Sequence, residues 1–361
     1  MGRRRGAPAW GAGVGRRRGA PAWGAGGAPS AYHSGVPTIS EAAEALADLL
    51  AGRSQQLSDP TGSDIEFAAQ VEARPLDRTA PPVDCWAVDG GQALVADARS
   101  VQVCITRAAR VRWQQGRCTL EEQGELSAHV LAGPGGGAEA KRSLAMLGAP
   151  VASDTPVDLN LLRDWSEWRL VARCVEEAEP GALVLVDGDL QPDWRIPARW
   201  LGELLLRAAE RDIALVGVTK HSSLARGGGP LVGQLELEAE KALGARSCWW
   251  APVGILRAEL GPGLSVVVAR LDPDARFAFR VDLPGDRDPA ALLGQLSALA
   301  DDAAFPGYPY SLSVADRLAS CPGWLREEAW AELDDALAAA GVAEEVRERA
   351  FADRHSLMER A

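Results

Sequence analysis

The chain reads CWAVDGG at residues 85–91 and LVLVDG at residues 183–188. In each stretch a short apolar run is followed by an aspartate, Asp89 or Asp187, and then by glycine. Short apolar runs bounded by turn residues predict buried strands, so we expect each aspartate to end a strand. Two aspartates on neighbouring buried strands repel each other and favour a divalent cation between them. The stretches therefore predict a sheet that carries a site for Mg²⁺ or Mn²⁺, ions that serve phosphate chemistry.

The composition indicates a globular protein that does not attract nucleic acid over its whole surface. Of the 361 residues, 47% are apolar, which is enough for a substantial core. The net charge of −12 argues against a DNA-coating protein but allows a nuclease with a local basic groove. The six cysteines form no C-x-x-C pair, which argues against a zinc site and fits a cytoplasmic protein. No apolar run reaches the ~18 residues that span a bilayer, so we expect no membrane association.

The order of the predicted elements indicates an α/β domain with a mixed central sheet flanked by helices. Strands come first, helices and strands then alternate, and helices occupy the C-terminal part. Strands are predicted at 84–89, 93–97, 101–113, 182–187, 213–219, 264–271 and 277–282. Helices are predicted at 157–178, 197–211, 234–243, 289–303, 311–320, 325–340 and 343–358.

Four regions follow from this order. Residues 1–36 form a leader in which 1–13 and 14–26 repeat, differing only at Met1 and Val14, so Val14 is an alternative start of translation. We expect the leader to be disordered, with a DNA-contacting basic arm as the alternative. A helical arm at 37–80, the α/β domain at 81–322 and a helical tail at 323–361 follow. The helical additions at both ends are candidates for dimerisation.

Two further carboxylates are candidates for the predicted metal site. Glu167 shares a helical stripe with Val171 and Cys174, so it leans toward the buried side of its helix. Asp316 lies on a later predicted helix among small and apolar neighbours. A lone acidic residue on a helix is usually solvent-exposed. The order Asp, Glu, Asp, Asp on strand, helix, strand and late helix is nevertheless typical of ribonuclease H-like nucleases.

Four segments resemble, in the same order, the motifs of the NurA family of DNA nucleases. They are AVDGG at 87–91, LVDGDL at 185–190, VGVTK at 216–220, and GYPY at 307–310 continued by ADRLA at 315–319. The resemblance implies a ribonuclease H-like fold and a nuclease that uses two Mn²⁺ ions, or Mg²⁺, to hydrolyse phosphodiester bonds. It also implies 5′→3′ exonuclease and single-strand endonuclease activity, a homodimer, and a hexameric HerA-type translocase as partner in DNA end resection at double-strand breaks.

The resemblance also assigns the metal ligands. Asp89 and Asp187 fall on the family's two strand-end aspartates, and Glu167 is matched to the helix glutamate by its distance before Asp187. Asp316 stands where some members carry histidine, which replaces an imidazole ligand by a carboxylate and changes the preferred ion.

Two more residues complete the catalytic set that the resemblance implies. Lys220 falls on the family's lysine and would contact a phosphate as a point charge. Tyr308 falls on its active-site tyrosine and would orient a phosphate or a water. Outside these motifs, candidates for tracking the DNA backbone are Arg195, Arg199, Arg226 and His221. Candidates for stacking unpaired bases, with core positions as the alternative, are Trp194, Trp200, Trp249 and Trp250.

Three other functions stay open at this point. The chain could be a catalytically inactive subunit that clamps DNA or a translocase, but the presence of all four carboxylates argues against this. It could be a ribonuclease H-like enzyme acting on RNA or hybrids, although the Gly-Tyr-Pro-Tyr segment favours NurA. It could also be a metal phosphoesterase for small substrates, which a narrow closed pocket would favour.

Overall fold

The apolar runs at 85–88 and 183–186 form neighbouring strands near the middle of a large sheet in the computed structural model of the chain. The structure describes residues 38–50, 54–62 and 64–351. The predicted leader therefore lies outside the described residues, as does the end of the predicted tail. The chain divides into two compact units between Ala45 and Leu46. Apart from its first helix, all the elements described below belong to the second unit.

Both helices and strands contribute extensively to the described part of the chain. The strands are β1 (Leu57–Ser58), β2 (Ile65–Phe67), β3 (Arg74–Pro75), β4 (Asp84–Asp97), β5 (Val101–Gln114), β6 (Arg117–Gln123), β7 (Ser127–Ala132), β8 (Leu183–Asp187), β9 (Ala214–Thr219), β10 (Ala225–Arg226), β11 (Gly229–Pro230), β12 (Trp249–Leu256), β13 (Leu264–Arg270) and β14 (Phe279–Pro284). The helices are α1 (Ile39–Leu50), α2 (Gly137–Met146), α3 (Leu159–Glu177), α4 (Ala198–Glu210), α5 (Leu231–Leu243), α6 (Pro289–Ala298), α7 (Tyr310–Ala319), α8 (Gly323–Ala339) and α9 (Glu344–Phe351), with a short 3₁₀ turn at Pro134–Gly136.

The large sheet is mixed, as the sequence predicts. Its strands follow the order β2-β12-β13-β14-β9-β8-β4-β5-β6, with β3 paired to β12 and β7 paired to β5. The central strands β9, β8 and β4 are parallel to one another. On both sides of this centre the pairing is antiparallel. The predicted α/β class with a mixed sheet flanked by helices is thereby confirmed.

Helices cover both faces of the sheet, because side chains alternate between the faces along each strand. On one face Val184 and Val186 of β8 pack with α2, α3 and α4. On the other face Leu183 and Leu185 pack with α6 and α7. A third cluster joins α5 to β12 and β13. The parallel centre is therefore buried on both faces, which explains why β8 reads as a continuous apolar run.

One structural prediction at the heart of the sheet is wrong. Residues 84–97 form a single strand, whereas the sequence led us to expect two strands with a turn at Gly90 and Gly91. Both glycines pair with β5 in continuous register. Gly91 is needed for close packing, since a Cβ there would lie 1.9 Å from the carbonyl oxygen of Ala319 at the end of α7. Asp89 therefore lies inside a strand and does not end one.

The region between residues 54 and 80 also contains more strand than helix. After α1, the short strands β2 and β3 pair with β12, and β1 pairs with β10 in a separate three-stranded sheet. Within the described residues, no helix is both long and apolar enough to cross a membrane.

Candidate active site

Three aspartates from separate elements meet beside the centre of the sheet. Asp187 is the last residue of β8, and Asp89 follows Val88, where the parallel pairing of β4 with β8 ends. Asp316 comes from α7, which buries Leu312 and Ala315 against the sheet. One carboxylate oxygen from each aspartate lies within 4.8 Å of the others. Each carboxylate thus offers a hard oxygen ligand to a shared cation.

Lys220 adds a positive charge to this group of aspartates. It follows directly after β9, the strand parallel to β8. Its Nζ donates hydrogen bonds to Asp187 Oδ2 at 2.6 Å and to Asp316 Oδ1 at 3.1 Å. These carboxylates outweigh the cost of partial burial and raise the pKa of the Lys220 ammonium. The side chain is still 36% exposed, so the ammonium is accessible from solvent.

Tyr308 lies beneath the lysine. The Lys220 ammonium stands 5.0 Å from the centre of the Tyr308 ring, a cation–π contact. The ring is buried and also packs against Phe279 and Phe305. Its hydroxyl lies near Asp187 but has no hydrogen bond of normal geometry to any described residue. Burial, followed by the negative charge of Asp187, raises the pKa of Tyr308 well above its usual range.

The electrostatics of the site favour an added cation. Burial raises the pKa of Asp89 to about 7, and the charges of Asp187 and Asp316 add to this effect. The Gly90 amide donates to Asp89 Oδ1 at 2.6 Å and opposes the shift, as does the charge of Lys220. A carboxyl with such a pKa gains strongly from a divalent cation, because the cation stabilises its ionised form.

Glu167 lies next to this group without belonging to the three-aspartate cluster found among the described residues. It is buried on α3, as its position in the stripe predicts, and its carboxylate faces Gly90. Burial raises the pKa of Glu167 well above its ordinary value, and Asp89 is the leading charge that adds to the shift. Arg163 offsets part of this, with its Nη1 3.4 Å from Glu167 Oε2.

Two of the arginines predicted to contact DNA form ion pairs inside the protein instead. Arg195 is almost fully buried and forms ion pairs with Asp158 and Asp193 at 2.9 and 2.5 Å. Arg226 is equally buried and pairs with Glu238 at 2.5 Å. These guanidiniums hold the fold and are not available to track a DNA backbone. Arg199, in contrast, is largely exposed, although it pairs with Glu203 on the same helix.

The four candidate tryptophans also separate into core and surface positions. Trp249 is buried, and Trp200 packs edge-on against Trp165 within the core around α3. Trp250 is partly buried and stacks with Arg74. Trp194 alone of the four is strongly exposed, with 81% of its surface accessible. It is therefore the one candidate that remains for stacking on an unpaired base.

A second charged cluster, which was not predicted from the sequence, lies near the ends of β8 and β9. Arg280 on β14 is completely buried and binds both oxygens of Asp282, with Nε to Oδ1 at 2.9 Å and Nη2 to Oδ2 at 3.0 Å. Its Nη1 lies 3.3 Å from Asp189 Oδ2 and 3.8 Å from Asp59 Oδ2. The alternation of Arg280 and Asp282 along one strand was the available signal, but it resembles that of a solvent-facing strand.

Comparison with known proteins places this geometry in a known fold. The chain is similar in structure to the NurA nuclease from Sulfolobus solfataricus, with a TM-score of 0.51 and 16% identity over 76% of this chain and 88% of the other. A second NurA structure has a TM-score of 0.40, with 8% identity over 67% of this chain and 86% of the other. The catalytic domain of human Endonuclease V has a TM-score of 0.36, with 16% identity over 74% and 92%.

The likeness to the Sulfolobus nuclease is a likeness of fold. At 16% identity it shows a common fold, and so confirms the fold that the four motif segments led us to expect. No protein-family model matches the sequence. No curated protein is similar to it in sequence either.

Proposed function

We propose that this chain is a metal-dependent DNA nuclease whose metal ligands are Asp89, Asp187 and Asp316. The observation that carries the proposal is the convergence of these three carboxylates, within 4.8 Å of one another, in a chain with the fold of a NurA nuclease. Carboxylates that meet from two strands and a distant helix repel each other in the folded state. A bound cation would offset this repulsion, so the arrangement supports a metal site.

The donor set fits the ions that serve phosphate chemistry. It consists of carboxylate oxygens, which suit Mg²⁺ and Mn²⁺ and do not suit soft metals. When bound, such ions supply an activated water and stabilise charge on the leaving oxygen. We propose Mn²⁺ or Mg²⁺, two ions in total, with Glu167 as the additional ligand beside Asp89. Two observations support this assignment: Glu167 is buried, and the charge of Asp89 adds to the upward shift of the Glu167 pKa.

Lys220 and Tyr308 supply the remaining chemistry in this proposal. Lys220 neutralises Asp187 and Asp316 in the absence of a metal, and its ammonium is free to turn toward a phosphate once a cation takes over that role. The Tyr308 hydroxyl, which has no partner of normal geometry among the described residues, can donate a hydrogen bond to a phosphate oxygen or a water. We therefore propose that both side chains contact the substrate and do not serve to stabilise the fold.

The finer assignments rest on the resemblance of the motifs to those of the NurA family. We propose 5′→3′ exonuclease and single-strand endonuclease activity, with the nuclease domain at residues 81–322. We further propose that the protein acts in the cytoplasm as a homodimer with a HerA-type hexameric translocase in DNA end resection. The exposed side chains of Trp194, Arg199 and His221 are candidates for contacts with DNA.

A cleavage assay tests the proposal. End-labelled single- and double-stranded DNA is incubated with the purified protein in Mn²⁺, Mg²⁺ or EDTA, with Asp89→Ala and Asp187→Ala run alongside. Asp212→Asn is a matched control, because Asp212 is exposed, pairs with Arg287 and has a positive φ that asparagine tolerates. We expect metal-dependent cleavage by the wild type and the control only.

Two outcomes would contradict the proposal. If cleavage survives in both alanine variants, the activity does not depend on these aspartates. If the wild type is inert with either metal, with and without a HerA-type translocase, the protein is better described as a subunit that binds DNA or a translocase without cutting. Cleavage of RNA or hybrids in preference to DNA would correct the substrate and keep the active site.

A further inference from the structure

We propose that Arg280 is a positioning residue that holds the chain after Asp187 and the segment carrying Lys220 in the geometry of the metal site, an inference that rests on the proposed function. Arg280 does not belong to the group of aspartates and lysine described above. It is completely buried and reaches three carboxylates, each of which belongs to a different segment. Two of these segments connect directly to the candidate active site.

The first connection is to the loop that follows β8. Asp189 lies two residues after Asp187, and its Oδ2 is 3.3 Å from Arg280 Nη1. The next residue, Leu190, donates its backbone amide to Asp282 Oδ2 at 3.0 Å, and Arg280 holds that same carboxylate in a bidentate pair. Gly188, between the two aspartates, donates its amide to the carbonyl of Val218 on β9. The chain immediately after Asp187 is thus fixed at three successive residues.

The second connection is to the segment that carries Lys220. Arg280 pairs in the sheet with Thr219, the residue directly before Lys220. Beyond the lysine, the Ser223 hydroxyl donates to Asp59 Oδ1 at 2.7 Å, and the other oxygen of Asp59 lies 3.8 Å from Arg280 Nη1. The Lys220 segment is therefore held before the lysine by the backbone of Arg280 and after it by Asp59, and only the second of these contacts depends on the guanidinium.

The chemistry of the guanidinium explains why arginine suits this position. Its planar fork binds one carboxylate with two parallel hydrogen bonds and still presents a third nitrogen to others. A lysine ammonium is a single point charge and lacks the fork that binds Asp282 at two nitrogens while a third faces Asp189. Groups that orient the ligands of a metal typically change metal affinity about 10- to 100-fold when they are removed. The closed geometry around Arg280 is consistent with such a supporting role.

Mn²⁺ binding measured by calorimetry tests this inference without relying on cleavage. Asp189→Asn removes the ion pair to the first loop but leaves the Arg280–Asp282 pair intact. Ser223→Ala removes the hydrogen bond on the second loop without changing any charge. We expect Asp189→Asn to weaken Mn²⁺ binding about tenfold and Ser223→Ala to weaken it by a smaller factor. Asp212→Asn, which removes a surface carboxylate, should bind as the wild type does.

Ser223→Ala separates positioning from loss of charge. Loss of the negative charge of Asp189 can itself weaken cation binding, and salt screens such a partly buried charge only weakly. Ser223→Ala changes no charge, so weaker Mn²⁺ binding in that variant reports positioning alone. Circular dichroism at the assay temperature must show both variants folded.

Three results would overturn the inference. Equal Mn²⁺ affinity in the wild type and both variants would show that Arg280 has no influence on the site, while leaving the proposed function intact. A loss of binding that follows only from loss of folded protein would make Arg280 a purely structural residue. A wild type that binds no Mn²⁺ would contradict the proposed function itself, and the positioning role with it.

Discussion

Two clusters of nearly identical composition lie near the ends of β8 and β9 and have opposite characters. Each contains three aspartates and one cationic side chain. The open cluster consists of Asp89, Asp187, Asp316 and Lys220. The closed cluster consists of Asp59, Asp189, Asp282 and Arg280.

The difference between the clusters lies in their cations and in their exposure. Lys220 and Asp316 have 36% and 54% of their side-chain surfaces exposed, whereas Arg280 and Asp282 have none. A lysine is a mobile point charge, while an arginine fork fixes its carboxylate in one geometry. We therefore expect the open cluster to exchange its lysine contacts for a divalent ion, and the closed cluster to retain its arginine. Two clusters with the same number of charges therefore differ in their expected ability to bind a metal ion.

The largest expected effect separates activity from stability in the open cluster. Asp187→Asn removes a metal ligand and should lower the rate of DNA cleavage in Mn²⁺ by at least about a thousandfold, several kcal/mol of transition-state stabilisation. In EDTA its melting temperature should equal or exceed that of the wild type, because one of several repelling charges is gone. Cleavage kinetics and thermal unfolding measure both. If Asp187→Asn instead unfolds more readily than the wild type and cuts DNA normally when folded, the open cluster stabilises the fold and does not serve cleavage.

The central strands and the acidic residues could be predicted from the sequence, because both depend on local patterns. The apolar runs of β8 and β9 reveal buried parallel strands, and the helical stripe places Glu167 inside. The continuity of β4 could not be predicted, because Gly91 serves a contact with Ala319 that is distant in sequence.

Other elements escaped prediction for equally physical reasons. The strand β6 is polar and mostly exposed at the edge of the sheet, so it has no clear alternating pattern. The strand β12 contains Pro252 and Gly254 at a break in register, and both residues argue against a strand. The closed cluster depends on four segments that meet only in the folded chain. Its aspartates and arginine therefore have no recognisable spacing.

The second prediction compares the two cations directly. Arg280→Met leaves the buried Asp282 without its ion-pair partner and removes the cation that faces Asp59 and the partly exposed Asp189, so it should lower the free energy of unfolding by about 3–5 kcal/mol. Lys220→Met should cost less than about 1 kcal/mol, because its ion pairs are partly solvated. Added Mn²⁺ should restore the stability of the lysine variant by binding to the open cluster but should not rescue the arginine variant. Urea unfolding with Mn²⁺ or EDTA measures these differences. Equal rescue of both variants would mean that the closed cluster also binds the metal.

The third prediction concerns pH. The pKa of Asp89, raised to about 7 by burial and by Asp187, lies above the ordinary value of about 3.9 that applies to the unfolded chain. Between those values Asp89 binds its proton more readily in the folded protein, so without metal the contribution of Asp89 to stability falls as pH rises from about 4 to about 7. The loss is at most about 1.4 kcal/mol per pH unit.

Asp89→Asn removes the titrating carboxyl and provides the comparison. In EDTA this variant should be more stable than the wild type at about pH 8, and the two should converge at about pH 4. Asp187, Asp316, Glu167 and Lys220 remain around this position in the variant. Loss of the Asp89 charge also lessens the upward shift of the pKa of Glu167, which changes the stability at about pH 8 in the same direction. Thermal unfolding across this range measures the difference. Parallel stability curves would show that Asp89 titrates normally and that no cation is needed beside it.

The smallest expected effect comes from Tyr308. Its hydroxyl is buried without a hydrogen bond of normal geometry among the described residues, so Tyr308→Phe should leave stability unchanged or raise it by about 1 kcal/mol. The same change should lower the cleavage rate about tenfold, since the hydroxyl is proposed to contact the phosphate or a water. Denaturation and cleavage kinetics test this pair of expectations. A less stable variant with normal activity would make Tyr308 a core residue.

Diffraction from a crystal soaked in Mn²⁺ tests the contrast between the two clusters most directly, because the anomalous signal of manganese locates the ion without any assumption about activity. We expect anomalous density among the carboxylates of Asp89, Asp187 and Asp316, with the Lys220 ammonium displaced from Asp187, and none beside Arg280. Density beside Asp189 and Asp282 instead, or no density at either cluster, would contradict this expectation.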